Sequence, residues 1–172
     1  MDDLPKRKNH RLRYFDYHTT AMYHVVICAQ RHACLFGTVN NGRMDLNQTG
    51  MIADENARMI PQKYPEAELV EYAVMPNHVH LLLGLGTKER DDHGETGANY
   101  GAPTGGHSLG QIVRAYKASV TMMCGQSIWQ RGYYDHIIRN ENDWLDTIVY
   151  IQNNPAAWDD DDLNPVSPLG TP

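Results

Sequence analysis

The sequence predicts an α+β fold in which one antiparallel sheet carries helices on one face. Two observations favour this fold. β-branched runs with the length of strands alternate with amphipathic helical segments, and an Asn-Gly turn separates two short strand-like runs. The 172 residues suit a single domain with a sizeable core. No apolar stretch approaches the roughly 18 residues that a membrane helix needs, so we expect a cytoplasmic protein that makes no contact with a membrane.

The first half of the chain contains strand signals on both sides of one helix signal. "YHVVICA" at residues 23–29 has the composition of a strand, and "FGTVNNGRMDLN" after it contains the hairpin turn. Residues 49–65 show helical spacing of apolar residues, and Pro61 predicts that the helix ends near it. "AELVEYAVM" and "HVHLLLGL" flank Pro76-Asn77, which predicts two antiparallel strands joined by a tight turn.

The second half begins with a stretch, residues 86–107, that is rich in glycine and polar residues and predicts a flexible insertion within the domain. A helix N-capped by Ser108, a strand-like segment "SIWQRGYYDHIIR" and a second helix follow, and we expect Asn142 to cap that last helix and Pro155 to end it. Residues 159–172 form an acidic tail. The order strand, helix, strand, strand, helix, strand is that of a ferredoxin-like split βαβ sandwich, here with an appended C-terminal helix.

The charge of the chain is unevenly distributed. The formal net charge is −6, which argues mildly against nucleic acid as a partner. The acidic residues cluster in "DDDD" and "KERDDHGE", however, whereas residues 1–13 contain the basic arm "KRKNHRLR". Such an arm can neutralise phosphates while the whole chain stays acidic, and the alternative is a solvated terminus without a partner. The three cysteines are too scattered for a disulfide framework or a cysteine zinc site, so we interpret them as reduced thiols.

"MPNHVHLLL" places two histidines on one face of a predicted strand. Residues two apart in a strand project to the same side, so His78 and His80 project together while Val79 and Leu81 point into the core. We expect the two imidazoles to look out from an uncovered face of the sheet. Neighbouring neutral imidazoles are good metal ligands, and the alternative is a polar strand face with two unpaired histidines.

The last predicted helix presents a second pair of polar side chains. Tyr150 and Asn154 lie one turn apart, on a different face from the apolar stripe that contains Trp144 and Ile148. A phenol and a carboxamide in this arrangement could face a reaction site. The alternative is a tyrosine at the rim of the core whose hydroxyl reaches water.

Taken together, these motifs resemble the single-tyrosine HUH transposases, which are His-hydrophobe-His nucleases, and most closely their REP-associated tyrosine transposase branch. "MPNHVHLLL", "SIWQRGYYDHIIRNE" and "YIQNNPAAW" look like the motifs of that branch, and the resemblance extends over residues 7–158. It implies a ferredoxin-like, RRM-like core with the nucleophilic tyrosine on a later helix. On this resemblance His78 and His80 match the metal-binding pair and Tyr150 matches the nucleophile.

Asn154 occupies the position of the third metal ligand in the resembling proteins, where the wider family commonly has the longer glutamine. Tyr133 and Tyr134 are rival nucleophiles by residue type, but their segment is strand-like and lacks a ligand one turn away. The implied cofactor is a divalent metal, Mg²⁺ or Mn²⁺, although imidazole ligands would also allow zinc.

The activity that the resemblance implies is a metal-dependent single-strand DNA endonuclease and strand transferase that acts on REP-like hairpin DNA through a 5'-phosphotyrosine. The alternative is a domesticated DNA-hairpin-binding protein that does not cleave, and a more distant one is an RRM-like RNA-binding module. We expect a monomer or a homodimer.

Cationic and aromatic side chains are expected to contact the phosphates and bases of single-stranded or hairpin DNA. The candidates for this role are Lys8, Arg11, Arg13, Arg114, Lys117, Trp129, Arg131, Tyr133 and Arg139. For Trp129 and Tyr133 the alternative is packing in the core.

Overall fold

The computed structural model describes residues 21–86 and 106–165. In chain order these contain β1 (Ala21–Cys28), β2 (Gly37–Asn40), β3 (Arg43–Leu46), α1 (Gln48–Arg58), α2 (Ile60–Lys63), β4 (Ala67–Val74), β5 (His78–Leu85), α3 (Leu109–Cys124), β6 (Tyr134–Ile138) and α4 (Glu141–Asn153). The basic arm, nearly all of the predicted insertion and the end of the acidic tail lie outside the described residues. Within the described ranges, no helix is long and apolar enough to cross a membrane.

The main sheet has four strands in the order β4-β5-β1-β6, and every neighbouring pair is antiparallel. Strands β2 and β3 form a separate hairpin, whose turn residues Asn41 and Gly42 both have positive φ, as the Asn-Gly signal predicts. The succession β1, α1, β4, β5, α3, β6 has the ferredoxin-like order, with α4 appended after it. The α+β prediction is therefore confirmed.

The hydrophobic core lies between one face of the sheet and helices α1 and α3. Alternate residues of β1 and β5 enter it, as the period of two requires. The buried side chains include Tyr23, Val25, Ile27, Val79, Leu81, Leu83, Ala53, Ala57, Ile112, Val113, Tyr116 and Val120. Val79 and Leu81 thus point into the core as the sequence predicts.

Helix α4 covers the opposite face of the sheet, where it contacts β4 and β5. Its residues Thr147 and Ile151 are buried, and so are Asn154 and Trp158 just beyond its end. The prediction that this face is uncovered is therefore wrong. The buried face of α4 also differs from the predicted apolar stripe, because Thr147 is buried whereas Trp144 and Ile148 are only partly buried.

The predicted helix boundaries are confirmed at one helix and corrected at another. Ser108 caps α3 and forms a capping box with Gln111. The N-cap of α4 is Asn140, whose side chain accepts a hydrogen bond from the backbone N–H of Asp143 at 3.0 Å, and not Asn142. Asn142 lies inside the first turn, because the asparagine two positions earlier already accepts the N–H of Asp143.

The two ends of the segment that spans residues 87–105 meet at Glu66. The backbone N–H of Gly86 donates to the carbonyl of Glu66 at 3.0 Å. On the other side, the backbone N–H and the ring Nδ1 of His107 lie 2.8 and 2.7 Å from Oε1 of Glu66. The chain therefore leaves the sheet and returns to it at nearly the same place.

Two glycines in the first turns of helices have different surroundings and allow a stability test. A Cβ at Gly50 would lie 2.0 Å from the carbonyl oxygen of Phe36, whereas a Cβ at Gly110 would lie 3.6 Å from its nearest neighbour. We expect Gly50→Ala to lower the free energy of unfolding by about 1–3 kcal/mol, because the backbone must move. Gly110→Ala should raise it by about 0.4–1 kcal/mol through the smaller backbone entropy of the unfolded chain. Urea unfolding measures both, and equal effects would contradict this account.

Candidate active site

Strand β5 carries His78 and His80 on the face that α4 covers. Both imidazoles are buried, with 0% and 1% of their surfaces exposed. Burial lowers the pKa of His78 to about 3 and that of His80 well below its usual range, because a charged imidazole loses its hydration there. Both rings are therefore neutral at physiological pH, which is the form that binds a metal.

Asn77 determines which nitrogen of His78 carries the proton. The amide of Asn77 donates to the carbonyls of His32 (3.0 Å) and Leu163 (2.6 Å), so its Oδ1 is the atom that faces His78. Because this oxygen can only accept, Nδ1 of His78 donates to it, at 2.8 Å. In the neutral ring Nε2 of His78 is then unprotonated, and it lies 2.8 Å from Nε2 of His80.

Asn154 is the C-cap of α4 and lies beside the two imidazoles. It is 3% exposed, and its side chain is close enough to His78, His80 and Tyr150 to shift the pKa of each. Its buried Oδ1 nevertheless has no hydrogen-bond partner of good geometry. A buried acceptor without a partner, next to two imidazole nitrogens, is a donor set that fits a divalent cation.

A metal site at His78 and His80 requires the amide of Asn154 as its third ligand. In residues 21–86 and 106–165, no group of three or more His, Cys, Asp or Glu side chains could hold a metal ion. Asp161 comes nearest to adding a carboxylate, with its Oδ2 3.9 Å from Nε2 of His78 and only 7% of its side chain exposed. The predicted residues His78, His80 and Asn154 are thus brought together by the fold.

Tyr150 lies on α4 one turn before Asn154, and 52% of its surface is exposed. Its ring stands edge-on to His80, with the ring centroids 5.5 Å apart. Partial burial and then the carboxylate of Asp161 raise the pKa of the phenol, while the nearby side chain of Asn154 lowers it. The hydroxyl is therefore protonated at neutral pH.

A cleft of about 440 Å³ opens over these groups. Tyr150, His80 and Asn154 line it together with Tyr134 of β6 and the acidic residues Asp160–Asp162. Tyr134 therefore opens onto the same cleft as Tyr150. The sequence places the aspartates in a tail, whereas the structure folds them against the site.

His24 is a further residue of the site that the sequence reasoning missed. It lies on β1, and its Nε2 is 3.0 Å from Nδ1 of His80. Burial, and then the nearby His136, lower the pKa of His24 to about 4. The signal was its position in "YHVVICA", where it alternates with Tyr23 and Val25 and so projects away from the core.

The residues predicted to bind DNA are distributed over several surfaces. Arg114, Lys117 and Tyr133 line a groove of about 530 Å³ beside α3, while Arg131 and Arg139 are exposed elsewhere. Lys8, Arg11 and Arg13 lie outside the described residues.

Trp129 and Lys117 have structural partners. Trp129 is 6% exposed, packs 5.1 Å from Phe36 between ring centroids, and donates through Nε1 to the carbonyl of Lys117. The Nζ of Lys117 donates to the carbonyls of Gln130 and Gly132 at 2.8 and 2.7 Å. The ring of Trp129 is therefore part of the core, which is the alternative that its sequence context left open.

Comparison with known proteins places the chain among bacterial relatives. A Haemophilus influenzae protein named only as uncharacterized is 33% identical over 176 residues, which covers 91% of this chain and 92% of that protein. A second Haemophilus influenzae protein, provisionally named a REP-associated tyrosine transposase, is 30% identical over 95 residues. The REP-associated tyrosine transposase of Escherichia coli K12 is 28% identical over 90 residues. The chain matches 52% and 44% of the lengths of these last two relatives. No family model matches the chain.

Among solved structures, a REP-associated tyrosine transposase bound to a REP hairpin superimposes with a TM-score of 0.60. The match covers 86% of this chain and 73% of that chain, at 19% sequence identity. At this identity the likeness concerns the fold.

The carboxylate of Asp161 provides a test of the electrostatics of the site. We expect Asp161→Asn to lower the pKa of Tyr150 in the metal-free protein, because a nearby negative charge destabilises the phenolate. Titration of protein labelled with ¹³C at tyrosine Cζ measures this pKa, and Tyr150→Phe identifies the resonance. Asp159→Asn is the control, since Asp159 does not line the cleft. An unchanged midpoint in Asp161→Asn would show that the carboxylate does not act on the phenol.

Proposed function

Because the chain belongs to the REP-associated tyrosine transposases, we propose that it is a transposase that cleaves and rejoins single strands of hairpin DNA at a site formed by His78, His80, Asn154 and Tyr150. The observation that carries the proposal is the convergence of three donor atoms beneath one tyrosine. Nε2 of His78 lies 2.8 Å from Nε2 of His80, and the side chain of Asn154, whose Oδ1 has no hydrogen-bond partner, is close enough to both rings to shift their pKa. Tyr150 lies one helical turn away, at the edge of an open cleft.

His78, His80 and Asn154 would hold a divalent cation, for which Mg²⁺ and Mn²⁺ are the expected ions. When bound, the cation supplies Lewis-acid polarisation of a non-bridging phosphate oxygen and a template for its position. The protein supplies the remaining requirements. Burial keeps both imidazoles neutral, and α4 positions the phenol beside the ligands on one rigid element.

In the proposed reaction the Oη of Tyr150 attacks phosphorus. A bond forms between this oxygen and the 5'-phosphate while the bond to the 3'-oxygen breaks. The phenolic proton passes to solvent, and the 3'-oxygen takes a proton from solvent and leaves as a hydroxyl. The 5'-phosphotyrosine conserves the energy of the phosphodiester, and a 3'-hydroxyl can later reverse the step. A free phenol has a pKa near 10 and is a poor nucleophile at neutral pH, and the environment of Tyr150 raises its pKa further. The phenol therefore depends on a positioned, polarised phosphate.

The partner we propose is DNA with a hairpin. A protein of similar fold is described as bound to a REP hairpin, and the exposed Arg114, Arg131 and Arg139 provide cations for phosphate contacts. An RRM-like RNA-binding module has less support, because such modules read bases on an open sheet face and α4 covers that face here.

A second candidate function is hairpin binding without cleavage. The aspartates Asp160–Asp162 at the cleft favour it, because carboxylates repel a phosphate that approaches the tyrosine. The two candidate functions differ in whether the hydroxyl oxygen of Tyr150 attacks phosphorus.

Tyr150→Phe keeps the ring and the helix but removes the proposed nucleophile. Incubation with hairpins copied from the DNA that flanks its gene should leave a covalent protein–DNA adduct with the wild-type protein and none with the variant. Because the exposed ring remains, the dissociation constant for the hairpin should change by less than about threefold. Tyr134→Phe, in the same cleft, is the matched control and should form the adduct.

If Tyr150→Phe forms the adduct as well as the wild-type protein, Tyr150 is not the nucleophile. If the wild-type protein binds the hairpin in the presence of Mg²⁺ or Mn²⁺ but never forms an adduct, the non-cleaving function replaces the proposed one.

Metal binding should stabilise the fold. At an Mn²⁺ concentration 100 times the dissociation constant, linkage predicts that the free energy of unfolding rises by about 2.7 kcal/mol. This raises the melting temperature by roughly 5–10 °C in a chain of this size. EDTA should reverse the shift, and His80→Phe should abolish it because the variant lacks a ligand nitrogen. The same Mn²⁺-dependent shift in His80→Phe would exclude His80 as a ligand.

A further inference from the structure

His24 contacts His80 on the side opposite to the proposed metal ligands. Its Nε2 lies 3.0 Å from Nδ1 of His80, while Nε2 of His80 faces His78. The centroids of the His24 and His80 rings are 5.1 Å apart and their planes make an angle of 26°, which fits a hydrogen bond between the edges of the two rings. His24 therefore contacts Nδ1 of His80, whereas a cation shared by His78 and His80 would bind Nε2 of His80.

Asn77 and His24 occupy equivalent positions in this arrangement. Asn77 binds Nδ1 of His78, and His24 binds Nδ1 of His80, so each Nδ1 has a partner outside the site. Partners of this kind determine which nitrogen of a ligating histidine carries the proton. The difference is that Oδ1 of Asn77 can only accept, whereas a neutral His24 can either donate or accept through Nε2.

In the metal-free protein each of the three imidazole rings, His24, His80 and His78, donates one hydrogen bond. Nε2 of His24 donates to His80, Nε2 of His80 donates to His78, and Nδ1 of His78 donates to Asn77. A cation shared by His78 and His80 requires the proton of His80 on Nδ1 instead. That proton has an acceptor only if His24 also carries its own proton on Nδ1 and leaves Nε2 free.

We propose that His24 is a positioning residue of the metal site, which accepts a hydrogen bond from Nδ1 of His80 and so directs the Nε2 lone pair of His80 towards the cation. The inference rests on the proposed function, because it assumes that His78 and His80 bind a metal. The step conserves protons: in His80 and in His24 one proton leaves Nε2 and one binds Nδ1, with solvent as the carrier. His24 itself does not ligate the metal, since its Nε2 is occupied by His80.

The test compares Mn²⁺ affinity between variants in the absence of DNA, with free Mn²⁺ measured by electron paramagnetic resonance. His24→Phe keeps a ring of similar size but removes the acceptor, and we expect the affinity to fall about 10- to 100-fold. His24→Gln restores an acceptor near the position of Nε2 and should recover most of the affinity. His136→Phe is the matched control, because His136 is paired with His24 across β1 and β6 but hydrogen-bonds to Asp143 on α4. Its affinity should equal that of the wild-type protein.

A second measurement uses the wild-type protein and does not depend on the folding of a variant. Long-range ¹H–¹⁵N spectra of the Zn²⁺-loaded protein should show His80 protonated at Nδ1 and His24 unprotonated at Nε2. A loaded protein in which Nδ1 of His80 carries no proton would overturn the inference, and so would a His24→Phe variant with unchanged Mn²⁺ affinity. Both results would leave the proposed function intact. A wild-type protein that binds no Mn²⁺ would overturn the proposed metal site and the inference together.

Discussion

The buried amide of Asn77 joins three parts of the chain that are far apart in sequence. Its nitrogen binds the carbonyl of His32 after β1 and the carbonyl of Leu163 beyond α4, and its oxygen binds the ring of His78 on β5. These bonds lie in the interior, where a lost partner costs about 1–3 kcal/mol per unsatisfied group. The same residue therefore fastens the C-terminal segment over the sheet and sets the proton position of one proposed ligand. Folding and the chemistry of the site depend on one side chain.

Burial keeps the imidazoles of the site neutral, and the fold also places a carboxylate near them and near the tyrosine. The covering by α4 removes water from the imidazoles and keeps them neutral, which prepares them as ligands. The segment that follows α4 brings Asp161 to 3.9 Å from His78, and burial together with this carboxylate raises the pKa of Tyr150. Carboxylates in a partly dry cleft attract a divalent cation and repel a bare phosphodiester. Under the proposed function, DNA cleavage is therefore tied to the metal, because the cation offsets the negative charge that the phosphate would otherwise meet.

The sequence predicts the strands and main helices well because their signals are local. The Asn-Gly hairpin, the Ser108 cap and the alternation in β5 are each determined by a few neighbouring residues. The two missed contacts of the site are long-range. The pairing of β1 with β5 brings His24 beside His80, and the return of the chain after α4 brings Asp161 to His78. The alternation in β1 indicates that His24 projects away from the core, but no pattern in the sequence indicates that its neighbour is His80 or that Asp161 returns to His78. The cap of α4 is a local error, because two asparagines compete there.

Glu66 binds the chain on both sides of the span between Gly86 and His107. Gly86 and His107 are both bound to this residue, so the span they enclose begins and ends at one point of the scaffold. Closing a loop costs conformational entropy that rises only with the logarithm of its length, about 0.6 kcal/mol for each doubling. Natural variation in the number of residues between these ends should therefore have little thermodynamic effect on the sheet and on the site.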